Sequence, residues 1–370
     1  MSLVPSRLLL GPGPSNVPAR VRAALAEPLL GHLDPAFLAI ADEVQERLRR
    51  LFGTRNRLTI PLASTGSGGM EACFANLVEP GDVVLVGVAG VFGERIGESA
   101  ARHGARVLRV EAEWGRALDE ERVAAAIERE RPALVAIVHA ETSTGVHQPL
   151  ARIARAARAV DALFVVDCVT SLGGLPVQID EWGADAAYSA TQKCLSCPPG
   201  LSPASFSERA LARVARRQRP VSSWYFDLGL LAGYYGQQRV YHHTAPVGMV
   251  VALAEALRGI EEEGIEARVA RHAQAAERLL EGLAPLGFEP LVPAGERLPM
   301  LSAVRLPERV LRAGEAVVRR RLLERHGIEV GGGLGKLAGS IWRIGLMGTN
   351  ANPEIVDRLL GALQEELNAL

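Results

Sequence analysis

Lys193 lies in the short polar segment Tyr188-Ser189-Ala190-Thr191-Gln192-Lys193-Cys194 and is one of very few lysines in an arginine-rich chain. A partly desolvated lysine amine can condense with a carbonyl cofactor and later carry a proton, which is the chemistry of amino-acid interconversion. Upstream, Asp167 ends the apolar run Ala162-Leu163-Phe164-Val165-Val166, a separation that suits a strand, a crossover and a second strand. Alone, Asp167 also reads as a turn or cap residue. Paired with Lys193 it gains a specific task, because a carboxylate facing a pyridine nitrogen keeps that nitrogen protonated and lets the ring accept electrons from a breaking Cα–H bond.

The stretch Ser64-Thr65-Gly66-Ser67-Gly68-Gly69-Met70-Glu71-Ala72 precedes an apolar helical pattern, so its N–H groups and hydroxyls could open a helix onto an anion. A Ser/Thr cap followed by packing glycines gives the same pattern. The stretch matches neither the dinucleotide nor the P-loop fingerprint, and Leu337 follows Gly335-Lys336 where a magnesium-binding hydroxyl is needed. Arg343 sits in Ser340-Ile341-Trp342-Arg343-Ile344-Gly345-Leu346, where alternation turns it away from Trp342 and Ile344. Its planar fork suits a carboxylate, although an exposed strand face or an internal ion pair fits the same pattern. Tyr241-His242-His243-Thr244 reads as a capped polar loop. Cys194 and Cys197 form a Cys-x-x-Cys pair, but no second pair completes a tetrahedral site and no redox motif surrounds them, so no metal is expected.

These groups need a scaffold. Between residues 80 and 190, β-branched runs at 82–86, 107–110, 133–139, 162–167 and 185–189 alternate with amphipathic segments at 118–129 and 150–160. That is the pattern of strands joined by crossover helices in a mainly parallel α/β sheet, whose ligands bind beyond the carboxyl ends of the strands. A helical pattern at 248–263 reads as a connector to a smaller α+β unit, which has helical patterns at 266–283 and 353–367 with short strands between. The expected division is an N-terminal segment 1–16, a large domain 17–263 and a small C-terminal domain 264–370.

With 370 residues, 48% of them hydrophobic, and a formal net charge of −1, the chain fits a two-domain globular protein with no long-range attraction to nucleic acid or membrane. The local run Arg209, Arg213, Arg216, Arg217 and Arg219 reads as a solvated helix face. No apolar stretch approaches a membrane span and no leader is evident. Four cysteines point to a reducing compartment, so a cytoplasmic protein is expected.

Eight segments together resemble the fold-type I, class V aminotransferases that use pyridoxal 5′-phosphate, in the alanine–glyoxylate and serine–pyruvate branch. They are residues 11–16, Thr65-Gly66-Ser67, His139-Ala140-Glu141-Thr142-Ser143-Thr144-Gly145, residues 166–174, Thr191-Gln192-Lys193, Tyr241-His242-His243-Thr244, Gly331-Gly332-Gly333-Leu334-Gly335 and Trp342-Arg343-Ile344-Gly345. The resemblance implies a large domain with a mainly parallel sheet, a small C-terminal domain, and a dimer whose N-terminal segment contacts the partner. It implies Lys193 as the imine-forming lysine, Asp167 at the ring nitrogen and Thr142 at the ring hydroxyl. Thr65, Gly66, Ser67 and Gln192 would hold the phosphate, joined by Tyr241 and Thr244 from the partner subunit. Phe92 would stack on the ring where many relatives carry Trp, and Ser67 stands where some carry His. Gly13, Ser171 and Arg343 would hold the substrate. The implied activity is ping-pong transfer of an amino group from alanine or serine to glyoxylate or pyruvate. The alternatives are transamination of 2-aminoethylphosphonate, ureidoglycine or aspartate, or a cysteine desulfurase-like lyase, which needs a downstream cysteine that this chain lacks after Cys197.

Overall fold

The computed structural model describes residues 4–370, so the first three residues of the expected N-terminal segment lie outside the described part. In chain order the first strands are β1 (Leu8–Leu10), β2 (Leu58–Ala63), β3 (Val83–Val88), β4 (Arg106–Glu111), β5 (Leu134–Val138), β6 (Ala140–Glu141) and β7 (Val146–His147). They are followed by β8 (Leu163–Asp167), β9 (Ala186–Tyr188), β10 (Leu201–Phe206), β11 (Glu289–Pro290), β12 (Leu301–Arg305), β13 (Ile328–Gly332) and β14 (Ile341–Gly345).

Seven strands form one sheet in the order β2-β10-β9-β8-β5-β3-β4. β9, β8, β5, β3 and β4 run parallel, while β10 is antiparallel to both β9 and β2. Every residue of β5 and β8 is buried, which is why their sequences are continuous apolar runs rather than alternating ones. The expected crossover helices form as Glu120–Glu130, capped by Asp119, and Ala151–Ala159.

β2 and β10 carry prolines that mask them in the sequence. Pro61 and Pro203 are directly opposite each other in the ladder. The Pro61 carbonyl faces the open edge and accepts a hydrogen bond from Tyr235 Oη (3.2 Å), so its missing N–H falls on the same unpaired side, where a strand tolerates proline.

A second sheet has the order β1-β13-β14-β12-β11. Leu8 and Leu10 of β1 pack into its core with Leu279, Trp342, Ile344 and Leu363, because β1 pairs in parallel with β13. The helices Val247–Glu263 and Ile265–Leu283 meet at Gly264, whose φ of 80° suits glycine. A third, small apolar cluster that includes Ala140, Cys194, Met300 and Met347 draws on segments next to both sheets.

Three arginines of the basic run stitch it to the body of the protein, while Arg216 and Arg219 stay exposed, as a solvated face requires. Arg209 pairs with Asp161 and Asp185, Arg213 pairs with Asp82 (2.5 Å), and Arg217 donates to the carbonyls of Asn76 and Val78. No helix among the described residues is long and apolar enough to cross a membrane.

Candidate active site

Asp167 is the last residue of β8 and lies beside Tyr188, the last residue of β9. The chain then turns into the loop that carries Lys193, so the parallel register itself delivers these groups to the carboxyl edge of the sheet. There a cavity of about 120 Å³ is lined by Thr65, Gly66, Ser67, Phe92, Asp167, Gln192 and Lys193, together with Met70, Arg95, Val169 and Tyr188. The amine and the carboxylate, read from separate segments, open into one space.

Asp167 is buried and held from two sides. Its carboxylate accepts from the Val169 N–H (2.8 Å) and from Tyr188 Oη (2.8 Å). Burial pushes its pKa up to about 6 despite those two donors, with Glu141 adding to the rise and Lys193 opposing it. A carboxylate in that state is short of positive charge, and a cationic ring nitrogen would supply it.

Lys193 Nζ donates to the Pro12 carbonyl. Burial lowers its pKa to about 8; Arg343 lowers it further, against the pull of Cys194 and Asp167. A useful fraction of the amine is therefore neutral near physiological pH, as a nucleophile and proton carrier requires. Gly13 presses on it so closely that a Cβ there would fall 2.6 Å from Nζ, and its φ is +108°. A side chain at Gly13 would thus strain the backbone and displace the lysine. Ser15 fixes the same loop, its N–H donating to Gln192 O (2.9 Å) and its hydroxyl to Lys193 O (2.9 Å).

The Gly66–Leu77 helix opens on the other side of the cavity. Thr65 is its N-cap, yet no side chain caps it, so its first N–H groups remain for an anion. Gly66 lets this helix start pack tightly: a Cβ there would meet Val169 Cγ2 at 2.8 Å. Gln192 also lines the cavity, and its side-chain amide N–H groups are donors of the kind an anion needs. Phe92 lies in the first turn of the Val91–Arg102 helix, with the Arg95 guanidinium 5.1 Å from its ring centre.

Glu141 holds that helix in place, which the sequence did not disclose. Its Oε2 accepts from the N–H groups of Phe92 (3.1 Å) and Gly93 (3.2 Å), and its Oε1 from the N–H (3.0 Å) and hydroxyl (2.5 Å) of Ser143. A fully buried carboxylate thereby caps a helix from a distant hairpin. Tyr188 and Arg95 were also missed; a strand-end Tyr beside an Asp is the signal that could have found the first.

Arg343 is buried on β14, its Nε donating to Gly332 O (2.8 Å) and its Nη1 to Thr142 O (3.3 Å). Burial lowers its pKa to about 10. Thr142 and Ser171 are fully buried next to the cavity rather than among its walls. Ser171 O accepts from the N–H groups of Gly174 (2.9 Å) and Leu175 (2.8 Å). Tyr241 and Thr244 are exposed and do not reach the cavity of their own chain; Tyr241 packs on His32, with ring centres 5.4 Å apart.

All four cysteines are buried and unpaired, and burial pushes Cys194 up to about 11 and Cys197 to about 12. Native protein should therefore react with a thiol reagent at pH 7.5 only after denaturation. A fast-reacting thiol in the folded state, counted by mass, would contradict this packing. Among the described residues no cluster of metal-ligating side chains occurs.

The donor set suits pyridoxal 5′-phosphate. One cavity brings together a helix N-terminus with no side-chain cap, the hydroxyls of Thr65 and Ser67, the Gln192 amide, the Asp167 carboxylate, the Phe92 ring and the Lys193 amine. Comparison with known proteins gives concordant findings. The aminotransferase class-V family model matches residues 9–337. The chain is 41% identical to the alanine–glyoxylate aminotransferase of Drosophila melanogaster over 99% of its own length and 93% of that protein. It is 40% identical to the (S)-ureidoglycine–glyoxylate transaminase of Bacillus subtilis over 98% of this chain and 91% of that one. The crystal structure of an alanine–glyoxylate aminotransferase from Nostoc sp. superposes with a TM-score of 0.96 at 50% identity, covering 99% of this chain and 96% of that one.

Proposed function

The chain belongs to the class-V aminotransferases and is a transaminase, and from that premise we propose that it carries an amino group from alanine or serine to glyoxylate or pyruvate with pyridoxal 5′-phosphate as cofactor. The cofactor, when bound, supplies an aldehyde that takes up the amino group and a ring that draws electrons from the substrate Cα. Lys193 would hold it covalently, Asp167 at the ring nitrogen, Thr142 at the ring hydroxyl and Phe92 against the ring face. Thr65, Gly66, Ser67 and Gln192 would hold its phosphate.

Arg343 binds the substrate α-carboxylate through the guanidinium edge not used by Gly332 O and Thr142 O. Lys193 Nζ, once free, takes the proton from the substrate Cα. Gly13, pressed against the amine, and Ser171, buried behind the cavity wall, would shape the substrate space beside it. The two half-reactions share one site, so the kinetics are ping-pong. The observation that carries this reading is the single cavity lined by both Asp167 and Lys193.

The working form is a homodimer, and the compartment is the cytoplasm. Leu29 (76% exposed), Trp224 (63%), Tyr241 (58%) and Val240 (55%) leave large apolar side chains in water, and a second copy would cover them. Tyr241 and Thr244 would then reach the partner's phosphate site, and the N-terminal segment would lie along the partner.

The test is a half-reaction screen on the holoenzyme. Alanine and serine are expected to convert the cofactor spectrum faster than aspartate, and borohydride reduction with peptide mapping should put the pyridoxyl group on Lys193. No adduct on Lys193 would remove the basis of the reading. Faster conversion by ureidoglycine than by alanine would move the substrate class.

A further inference from the structure

The Ile265–Leu283 helix carries a buried arginine that lies outside the cavity yet holds two of its loops. Arg268 is 6% exposed. Its Nε donates to Gly173 O (2.9 Å), its Nη2 to Cys194 O (2.6 Å), and its Nη1 pairs with Glu263 (2.5 Å). Cys194 follows Lys193 directly and Gly173 lies just past Ser171, so one planar guanidinium spans the backbones of the lysine loop and the substrate-side loop. These loops already touch, since a Cβ on Gly174 would come within 2.7 Å of Cys194 Sγ.

The same helix also grips the segment that follows Arg343. Arg271 pairs with Glu263 and donates to the carbonyls of Gly348 (2.9 Å) and Ala351 (2.5 Å). His272 Nδ1 faces Arg268 O (2.8 Å), which leaves Nε2 to accept from the Gly348 N–H (2.9 Å). Thr349 N–H donates to Ser196 Oγ (2.9 Å). There is no slack in this contact: a Cβ on Gly348 would fall 2.9 Å from Cys194 O.

A buried guanidinium is costly unless its donors all find acceptors. Here two of the acceptors are backbone carbonyls of functional loops, and a rigid fork fixes both at once where a lysine would reach only one. We propose that Arg268 is a positioning residue for Lys193: it sets the amine against the Ser171 loop and, through Arg271 and His272, against the strand that carries Arg343. The amine and the carboxylate-binding guanidinium are thereby held in register across the junction of the two sheets. This rests on the roles of Lys193 and Arg343 proposed above.

The test compares wild type, R268M, R268K and, as a control on the same helix, R278A, which breaks only the half-exposed Arg278–Asp357 pair. In the full-length protein stripped of cofactor, competitive acetylation of Lys193 is followed across pH by peptide mass. The wild-type midpoint is expected well below that of an ordinary lysine, and R278A should match it. In R268M the loop loosens and admits water, so the midpoint should rise toward the ordinary value although Asp167, Arg343 and Cys194 still face the amine. R268K should fall between. In the reloaded enzyme, kcat of R268M should drop on the order of 10²-fold at unchanged cofactor content, as expected when a reacting group is displaced by about 1 Å. Coincident midpoints and equal kcat in wild type and R268M would overturn the proposal. If R268M does not fold, coincidence of R268K with wild type overturns it in the same way. A wild-type midpoint in the ordinary lysine range would instead sink the role of Lys193 itself.

Discussion

Replacing Lys193 with alanine is expected to lower transamination by on the order of 10⁴-fold or more while the protein stays folded, because the same amine serves as nucleophile and as proton carrier. The fold should tolerate the change. Burial already disfavours the charged form of this side chain, and its one hydrogen bond is to the Pro12 carbonyl, so truncation removes a desolvated ammonium rather than a packing element. Single-turnover measurements with alanine as donor, alongside a thermal melt, separate the two effects. Partial recovery with a small added primary amine would assign the loss to the missing base. A variant within about tenfold of wild type, a difference of only about 1.4 kcal/mol in the barrier, would contradict the assignment.

Asp167→Asn should separate activity from stability in opposite directions. Loss of the charge is expected to lower kcat by on the order of 10²–10³-fold, the range for removing one preorganised electrostatic partner. Yet a carboxyl raised from 3.8 to about 6 by burial costs the ligand-free fold about 3 kcal/mol at neutral pH. That cost is absent below pH 3.8, where folded and unfolded forms are both protonated. It grows as pH rises through 6 and is full above it. Without that cost, the amide keeps the Val169 hydrogen bond through Oδ1 and can donate from Nδ2 to Tyr188 Oη, which reverses the second bond. Cofactor-free Asp167→Asn protein should therefore melt above wild type at pH 7.5 and level with it near pH 3.5, if both remain folded there. An equal or lower melting point at pH 7.5 would show that the site carries no such stored cost.

The chemistry and the parallel strands were legible in the sequence because both are written in local pattern. Fully buried strands such as β5 and β8 appear as unbroken apolar runs, with Asp167 at the end of β8 and Lys193 just beyond β9. What escaped was the set of groups whose meaning is set by long-range geometry. Glu141 looks like any acidic residue until the β6–β7 hairpin is seen to bring it to the N–H groups of Phe92 and Gly93. Arg268 reads as an ordinary first-turn arginine, and nothing local says that its fork meets Gly173 and Cys194. Arg209, Arg213 and Arg217 looked solvated for the same reason, since most of their acids and carbonyls lie far away in the chain. β2 and β10 were hidden by proline, a residue whose penalty depends on which side of the ladder it faces.

The Pro61 position bears on how this protein survives concentration. β2 is the outermost strand of the large sheet, and such a margin ordinarily recruits a neighbouring molecule's backbone into fibrous growth. Here the margin lacks a donor at Pro61, while Tyr235 and Tyr225 occupy the carbonyls of Pro61 and Ala63. Colloidal behaviour is thus partly decided by two phenols and an imino acid.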